Sequence, residues 1–267
     1  MSERPLIIAH RGASGFAPEN TCQSFLLAFV QGADAVEADL RISSDGQLVV
    51  IHDENTKRVS GVTLRVEKTP FEKLRALEVG RVGSTRLKGY RMPTLEQVLE
   101  ILPPTKSLLL DIKGGEKMVP ALVEILSRAE HAKKNVQIMS EDVGVLMALA
   151  EKLPRLARVL KSERRWSRKL DRWLPEPEIL AVAAKSAGAV AVALDSRSLA
   201  GEPGLVSELG ERGLKIHVWT VNRGAGAARF ARMGVSGIHT AYPAQLLDAF
   251  AGGLAGKAHG RAETAAA

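Results

Sequence analysis

The hydrophobic positions of this chain fall into short apolar runs separated by stretches of helical periodicity. Runs at 6–11, 35–41, 47–52, 107–113, 136–140, 189–195, 215–221 and 237–241, with a further one at 157–161, predict β-strands. Between them, apolar residues recur at helical spacing over 20–31, 94–102, 118–130, 142–152, 176–187, 203–213 and 224–233, several of these ending at glycine. Strand and helix in regular alternation predict a parallel sheet. Only a Ser-Ser-Asp-Gly turn separates 35–41 from 47–52, so these two runs read as one strand with a hairpin-like extension. Eight barrel strands remain, and the predicted fold class is α/β, a (β/α)8 TIM barrel. Residues 53–92 interrupt the rhythm with charged and glycine-containing sequence, and read as a small insertion after the second barrel strand, over the barrel mouth.

A chain of 267 residues that is 45% hydrophobic is near the usual size of one such barrel, so a single domain over about 1–250 is expected. The stretch from 251 to 267 lacks apolar periodicity and is expected to be a disordered tail. The opening MSERPLIIAH offers too short an apolar run for a secretory or membrane-spanning segment, which points to a soluble, cytoplasmic protein. One cysteine, Cys22, excludes an internal disulfide and reads as a small buried residue of the first helix. The net charge of +7 favours anionic partners. With aromatic residues at only 4% and no aromatic ladder among the basic residues, nucleic acid is not expected among them. In the segment 161–173, KSERRWSRKLDRW, six basic residues stand against two acidic ones. It reads either as a solvated helix face or as a basic lip with Trp166 and Trp173 as anchors, making weak peripheral contact with an anionic membrane. The oligomeric state is not legible.

Side chains two apart on a strand share a face, so Glu37 pairs with Asp39 and Asp111 with Lys113. His10, Arg11, His52, Asp111 and Lys113 all fall at predicted C-terminal strand ends, where barrels of this type build active sites. Three carboxylates gathered there repel one another, and a bound divalent cation resolves the repulsion. All-oxygen ligation favours Mg2+ or Ca2+, with Mn2+ admissible. A structural use of the same charges, with Glu37 and Asp39 paired to Arg11 and Arg41, is the competing reading. His217 and His239 read as structural histidines, and His131 and His259 as solvated ones.

These residues sit in a segment, IIAHRGASGFAPENTCQSFLLAFVQGADAVEADLRISSDGQLVVIHDENTKR, that resembles the signature of the glycerophosphodiester phosphodiesterase family, within the phospholipase C-like phosphodiesterases. MPTLEQVLEILP, LLLDIK, VWTVN and GIHTAYP continue the resemblance over roughly 6–248. It implies that His10 and His52 are the catalytic acid and base, and that Arg11 and Lys113 hold the phosphate. It likewise implies that Glu37, Asp39 and Asp111 ligate one divalent metal, and that Trp219 walls the substrate pocket. The implied substrate is a small glycerophosphodiester, hydrolysed to glycerol 3-phosphate and an alcohol after the free glycerol hydroxyl attacks phosphorus. Two positions depart from the pattern. Asp111 stands where the family usually has glutamate, as in the related spider-venom type phospholipases D, and Ala241 stands where aspartate is common. Alternative expectations are therefore a lysophospholipase D activity and a non-catalytic headgroup-binding barrel.

Overall fold

The computed structural model describes residues 4–129 and 133–252, so His131, His259 and the tail from 253 lie outside the described residues. Eight parallel strands form the sheet: β1 (Leu6–His10), β2 (Ala35–Ile42), β3 (Ser107–Ile112), β4 (Val136–Ser140), β5 (Ala157–Ser162), β6 (Ala191–Asp195), β7 (Lys215–Trp219) and β8 (Gly237–Thr240). Each pairs in parallel with the next, and β8 returns to β1 with Ile7 opposite Ile238, which closes the barrel. Closure leaves no unpaired edge among these strands. Leu48–Val50 adds antiparallel to the end of β2, as the short turn predicts.

The strand period divides the core in two. Ile7, Ala9, Val36, Ala38, Leu40, Leu108 and Leu110 face outward and pack under the helical ring, together with Phe25, Leu122 and Leu149. That ring comprises α1 (Cys22–Val30), α2 (Leu95–Glu100), α3 (Val119–Arg128), α4 (Val143–Lys152), α5 (Pro177–Ser186), α6 (Leu205–Glu211), α7 (Gly224–Arg232) and α8 (Pro243–Ala251). The opposite set, Ile8, Ala35, Leu109, Met139, Val159, Ala191 and Ala193, fills the barrel interior beneath Trp219. Two residues further along the same inward rows come His10, Glu37, Asp111 and Lys161, and Asp39 follows Glu37 by another two. The floor of the site is thus an apolar plug, and its polar groups follow from continuing the strand period by two residues. Cys22 is half-buried at the start of α1. No helix of the described residues is long and apolar enough to cross a membrane.

Residues 53–92 carry two short helices, Lys57–Ser60 and Phe71–Arg75, and a small hairpin, Arg81–Val82 with Thr85–Arg86. Val49, Ile51, Val59, Val66, Leu74, Val79 and Met92 give them a separate apolar cluster.

The basic segment corrects the helix expectation. It continues β5 and then folds into an antiparallel hairpin of Arg165–Ser167 and Arg172–Leu174, with Trp166 and Trp173 edge to face at 5.7 Å. Nor is all of it surface: the Arg164 side chain is fully buried, ion-paired to Glu202, and donates to the carbonyls of Trp173 (3.3 Å) and Pro175 (2.8 Å). Arg164→Ala should therefore cost about 2–4 kcal/mol by stranding those two carbonyls, the part-exposed Glu202 being able to rehydrate. A fall in Tm of the purified variant checks this, and an unchanged Tm would show that the loop stands without its buried cation.

Candidate active site

The first histidine is placed by a tight turn. His10 ends β1, and the chain reverses through Arg11 and Gly12 at φ 58° and 80°. A Cβ on Gly12 would lie 2.4 Å from the Ser24 hydroxyl, so glycine is required there. Asn20, in the same loop, also has positive φ, 56°. Such backbone costs about 1–3 kcal/mol per non-glycine residue and persists where its surroundings over-determine it. Here they do: the Arg11 N–H donates to Glu37 Oε2 at 2.9 Å, and Asn20 both donates to Asp39 Oδ2 (2.9 Å) and accepts from the Asp39 N–H (3.2 Å). The HRG and PENT segments are thereby clamped onto the two carboxylates of β2.

Glu37, Asp39 and Asp111 are all essentially buried, and their ligand oxygens lie within 4.8 Å of one another. Arg11 Nε stands 3.1 Å from Asp39, and Lys113 Nζ stands 2.6 Å from Asp111 Oδ2 and 3.5 Å from Asp39. Burial alone would raise the Asp39 carboxyl, but Arg11 and Lys113 outweigh it and hold Asp39 below the usual carboxylate range. For Glu37 the balance goes the other way, as burial with the charges of Asp39 and Asp111 pushes it up to about 8. Arg41 is not part of this network: it donates to the backbone carbonyls of His52 (2.8 Å) and Lys113 (3.5 Å), which ties two loops of the site together.

Whether a divalent ion suits this trio can be judged from the donors. All three are hard oxygens, and Asp111 Oδ1 is buried without a hydrogen-bond partner among the described residues, a costly state that an ion would relieve. The trio therefore fits such an ion. Burial beside two carboxylates favours the protonated form of Glu37, so a divalent ion binding there would compete with that proton. Divalent affinity should therefore rise with pH, with protons released as the ion binds. Calorimetry in two buffers of different ionisation enthalpy measures that release, and none would mean that no protonated Glu37 is displaced by the ion.

His52 follows the Leu48–Val50 strand. Its Nδ1 lies 2.7 Å from Asp53 Oδ1, and Arg58 Nε lies 2.6 Å from the other oxygen of Asp53. An ionised carboxylate only accepts, so Nδ1 carries the proton and Nε2 is left for chemistry. Arg58 also grips Glu19 through two bonds of 2.6 and 2.7 Å, and Glu19 in turn accepts from Arg11 at 3.0 Å. Burial, reinforced by Arg11, pushes His10 down to about 3, and burial lowers His52 too against the opposing pull of Asp39 and Asp53. In the absence of substrate the charged form of both imidazoles is thus disfavoured.

Of the residues expected from sequence, the carboxylate trio, Arg11 and Lys113 share this network, and Trp219 ends β7 beside it with Lys161 Nζ 4.8 Å above its ring. His217 and His239 are buried with rings 5.7 Å apart and lowered by burial, His217 to about 4, yet His217 Nδ1 and His239 Nε2 lack partners among the described residues. At the second departure, Asn222 Oδ1 accepts from the Ala241 N–H (2.9 Å) and from the Thr240 hydroxyl (3.2 Å), so the strand end is capped without an aspartate. Sequence reasoning missed Asn20, Glu19, Asp53 and Arg58, which orient the histidines and arginine, although PENT and HD had flagged three of them as motif residues. It also missed Lys161, whose signal was its place at a strand end two residues beyond Val159. A cavity of about 240 Å³ opens beside the carboxylates, lined by Asp111, Lys113, Gly115, Ser140, Glu141 and Asp142 among others.

Residues 10–245 match the Glycerophosphoryl diester phosphodiesterase family. A glycerophosphodiester phosphodiesterase of Caldanaerobacter subterraneus is 31% identical, the match covering 92% of this chain and 97% of that one. A human lysophospholipase D is 28% identical over 90% of this chain and 84% of its own. Among solved structures, an Oleispira antarctica phosphodiesterase in complex with the product sn-glycerol-3-phosphate superimposes with a TM-score of 0.81 at 25% identity, covering 93% of this chain and 97% of that one.

Proposed function

The chain belongs to the glycerophosphoryl diester phosphodiesterase family, and from that premise we propose that it hydrolyses small glycerophosphodiesters to glycerol 3-phosphate and a free alcohol. The observation that carries this reading is the convergence of two histidines, a buried carboxylate trio and the cations Arg11 and Lys113 on one end of the barrel.

Glu37, Asp39 and Asp111 would hold one divalent ion, Mg2+, Ca2+ or Mn2+, which supplies charge stabilisation to the phosphoryl oxygens. Arg11 and Lys113 stabilise the same developing charge. The glycerol hydroxyl attacks phosphorus, its proton passes to one imidazole, and the bond from phosphorus to the alcohol oxygen breaks as the other imidazole protonates that oxygen. Water then opens the cyclic phosphate by the reverse exchange of protons. Asp53 stabilises a charged His52, which makes His52 the better proton holder and assigns it to the leaving alcohol, with His10 as the base. The phosphodiester's own negative charge favours the protonated form of the nearby imidazole once it is bound, so that His52 takes up a proton from solvent at Nε2 and passes it to the leaving oxygen. His10, whose charged form burial and Arg11 disfavour, stays neutral as the base.

The test is release of glycerol 3-phosphate from glycerophosphocholine by the purified chain, in EDTA and after addition of each metal. Release that depends on a divalent ion is expected. If no metal supports release while lysophosphatidylcholine is cleaved, the lysophospholipase D reading takes its place. Phosphate binding without turnover on either substrate would leave the non-catalytic barrel.

Membrane contact belongs to the same reading. Trp166 and Leu170 are about half exposed on the hairpin that follows β5, with Arg165, Arg168, Lys169 and Arg172 exposed around them. That pairing of apolar anchors and positive charge suits an anionic surface. A Trp166→Ser, Leu170→Ser double variant should pellet less with phosphatidylglycerol-containing vesicles than the parent does, and equal pelleting would remove this contact from the picture.

A further inference from the structure

Lys161 is the charge of this site that no motif supplies. It sits two residues beyond Val159 on β5, so the strand period turns it into the barrel, across from Ala193, whose small side chain leaves it room. Its Nζ lies 2.9 Å from Asp111 Oδ2, 3.3 Å from Glu141 and 4.8 Å from the centre of the Trp219 ring. Lys113 Nζ stands on that same Oδ2 at 2.6 Å. Two ammonium groups therefore occupy one oxygen of Asp111 and leave only Oδ1 without a partner. Three buried carboxylates already face three cations, Arg11, Lys113 and Lys161.

A third fixed cation acts with opposite sign on the two kinds of ion that the site must gather. It repels a divalent cation arriving at Asp111, and it attracts an anion arriving over the carboxylates. We infer that Lys161 is a positioning and selectivity residue that tunes this centre away from tight divalent binding and toward tight phosphate binding. The inference rests on the metal-dependent phosphodiester reading above and adds to it a specific trade. A shorter third ligand, Asp111 in place of glutamate, leaves room beside it for an ammonium group. The site then exchanges metal affinity for hold on the anionic ester and its more highly charged product. Glu141, more than half exposed and still within reach of Nζ, is the second anchor that keeps the ammonium over the site.

The two signs make the inference testable without measuring turnover. Calorimetry would follow Mn2+ added to the EDTA-stripped full chain, and inorganic phosphate added to the Mg2+-saturated full chain. For Lys161→Met, Mn2+ should bind roughly ten-fold more tightly and phosphate roughly ten-fold more weakly, the order expected for one partly buried charge a few ångströms away. Lys161→Gln should shift both in the same senses, and serves if the methionine variant does not fold. Lys161→Arg, which keeps the charge, should restore both affinities to near the parent's. A merely structural lysine would move the two together, so loss of both affinities in Lys161→Met and Lys161→Gln overturns the inference. Unchanged affinities, or an arginine variant that behaves like the methionine one, overturn it as well. If the parent bound both ions with this reciprocity and hydrolysed no glycerophosphodiester, the functional reading would fall while the role of Lys161 stood.

Discussion

Alanine at His10 should lower kcat on glycerophosphocholine by about 10²–10⁴-fold with little change in KM, the range a single positioned acid or base supplies. His10 is only partly covered by protein, and desolvation together with the Arg11 charge disfavours its protonated form. Its removal deletes a proton acceptor without deleting a phosphate contact, so binding should survive. His52→Ala should lose a similar factor. If the two imidazoles act in one sequence of proton transfers, the double variant should lose far less than the product of the two. The side chain of His10 is also partly buried, and its loss could loosen the loop that carries Arg11. Circular dichroism and phosphate binding on the same preparation separate that outcome from a chemical one. A His10→Ala enzyme with parental kcat would remove His10 from the mechanism.

The second large effect is expected from Asp39→Asn. Asp39 is the most heavily engaged of the trio: it meets Arg11 at 3.1 Å, Asn20 at 2.9 Å and Lys113 at 3.5 Å. The substitution keeps the shape and removes the charge, so a divalent ion loses one of its three carboxylates while Arg11 and Lys113 lose a counter-charge. Divalent affinity should fall by about two orders of magnitude or more, and turnover with it, given that like charges then dominate a partly desolvated site. Stability should fall by about 2–4 kcal/mol, since two cations that are mostly buried are left short of a partner. Parent enzyme stripped with EDTA should recover on re-addition of Mn2+, and Asp39→Asn should not recover at the same concentration. Parental Mn2+ affinity in the variant would show that Asp39 serves only to hold Arg11 and Asn20.

The departures that raised doubt in the sequence have different fates. At Ala241 the strand end loses an aspartate, but Asn222 caps the Thr240 hydroxyl and the Ala241 N–H, so the loop around Gly15 keeps its anchor. At Asp111 the shorter carboxylate is accompanied by a lysine from β5, which changes the charge of the site itself.

The sequence by itself determined the parts of this protein governed by short-range rules. A period of two put Glu37 with Asp39 on one face of β2 and Asp111 with Lys113 on one side of the β3 end, and the strand-end positions of His10 and His52 followed from where the apolar runs stop. Eight strands alternating with helices determined the barrel, since parallel strands buried on both faces need crossover helices. Tertiary structure decided what local periodicity is blind to. Composition averaged 161–173 into a basic surface, whereas in the folded chain Lys161 points into the site, Arg164 is buried against Glu202, and only the hairpin beyond them is exposed. The same is true of Arg58, whose partners Asp53 and Glu19 lie five and thirty-nine residues away. The physical reason is closure: a strand's period says which residues share a face. Which face is interior, and which distant charges meet there, is settled only when β8 pairs with β1 and brings the loops of all eight strands to one rim.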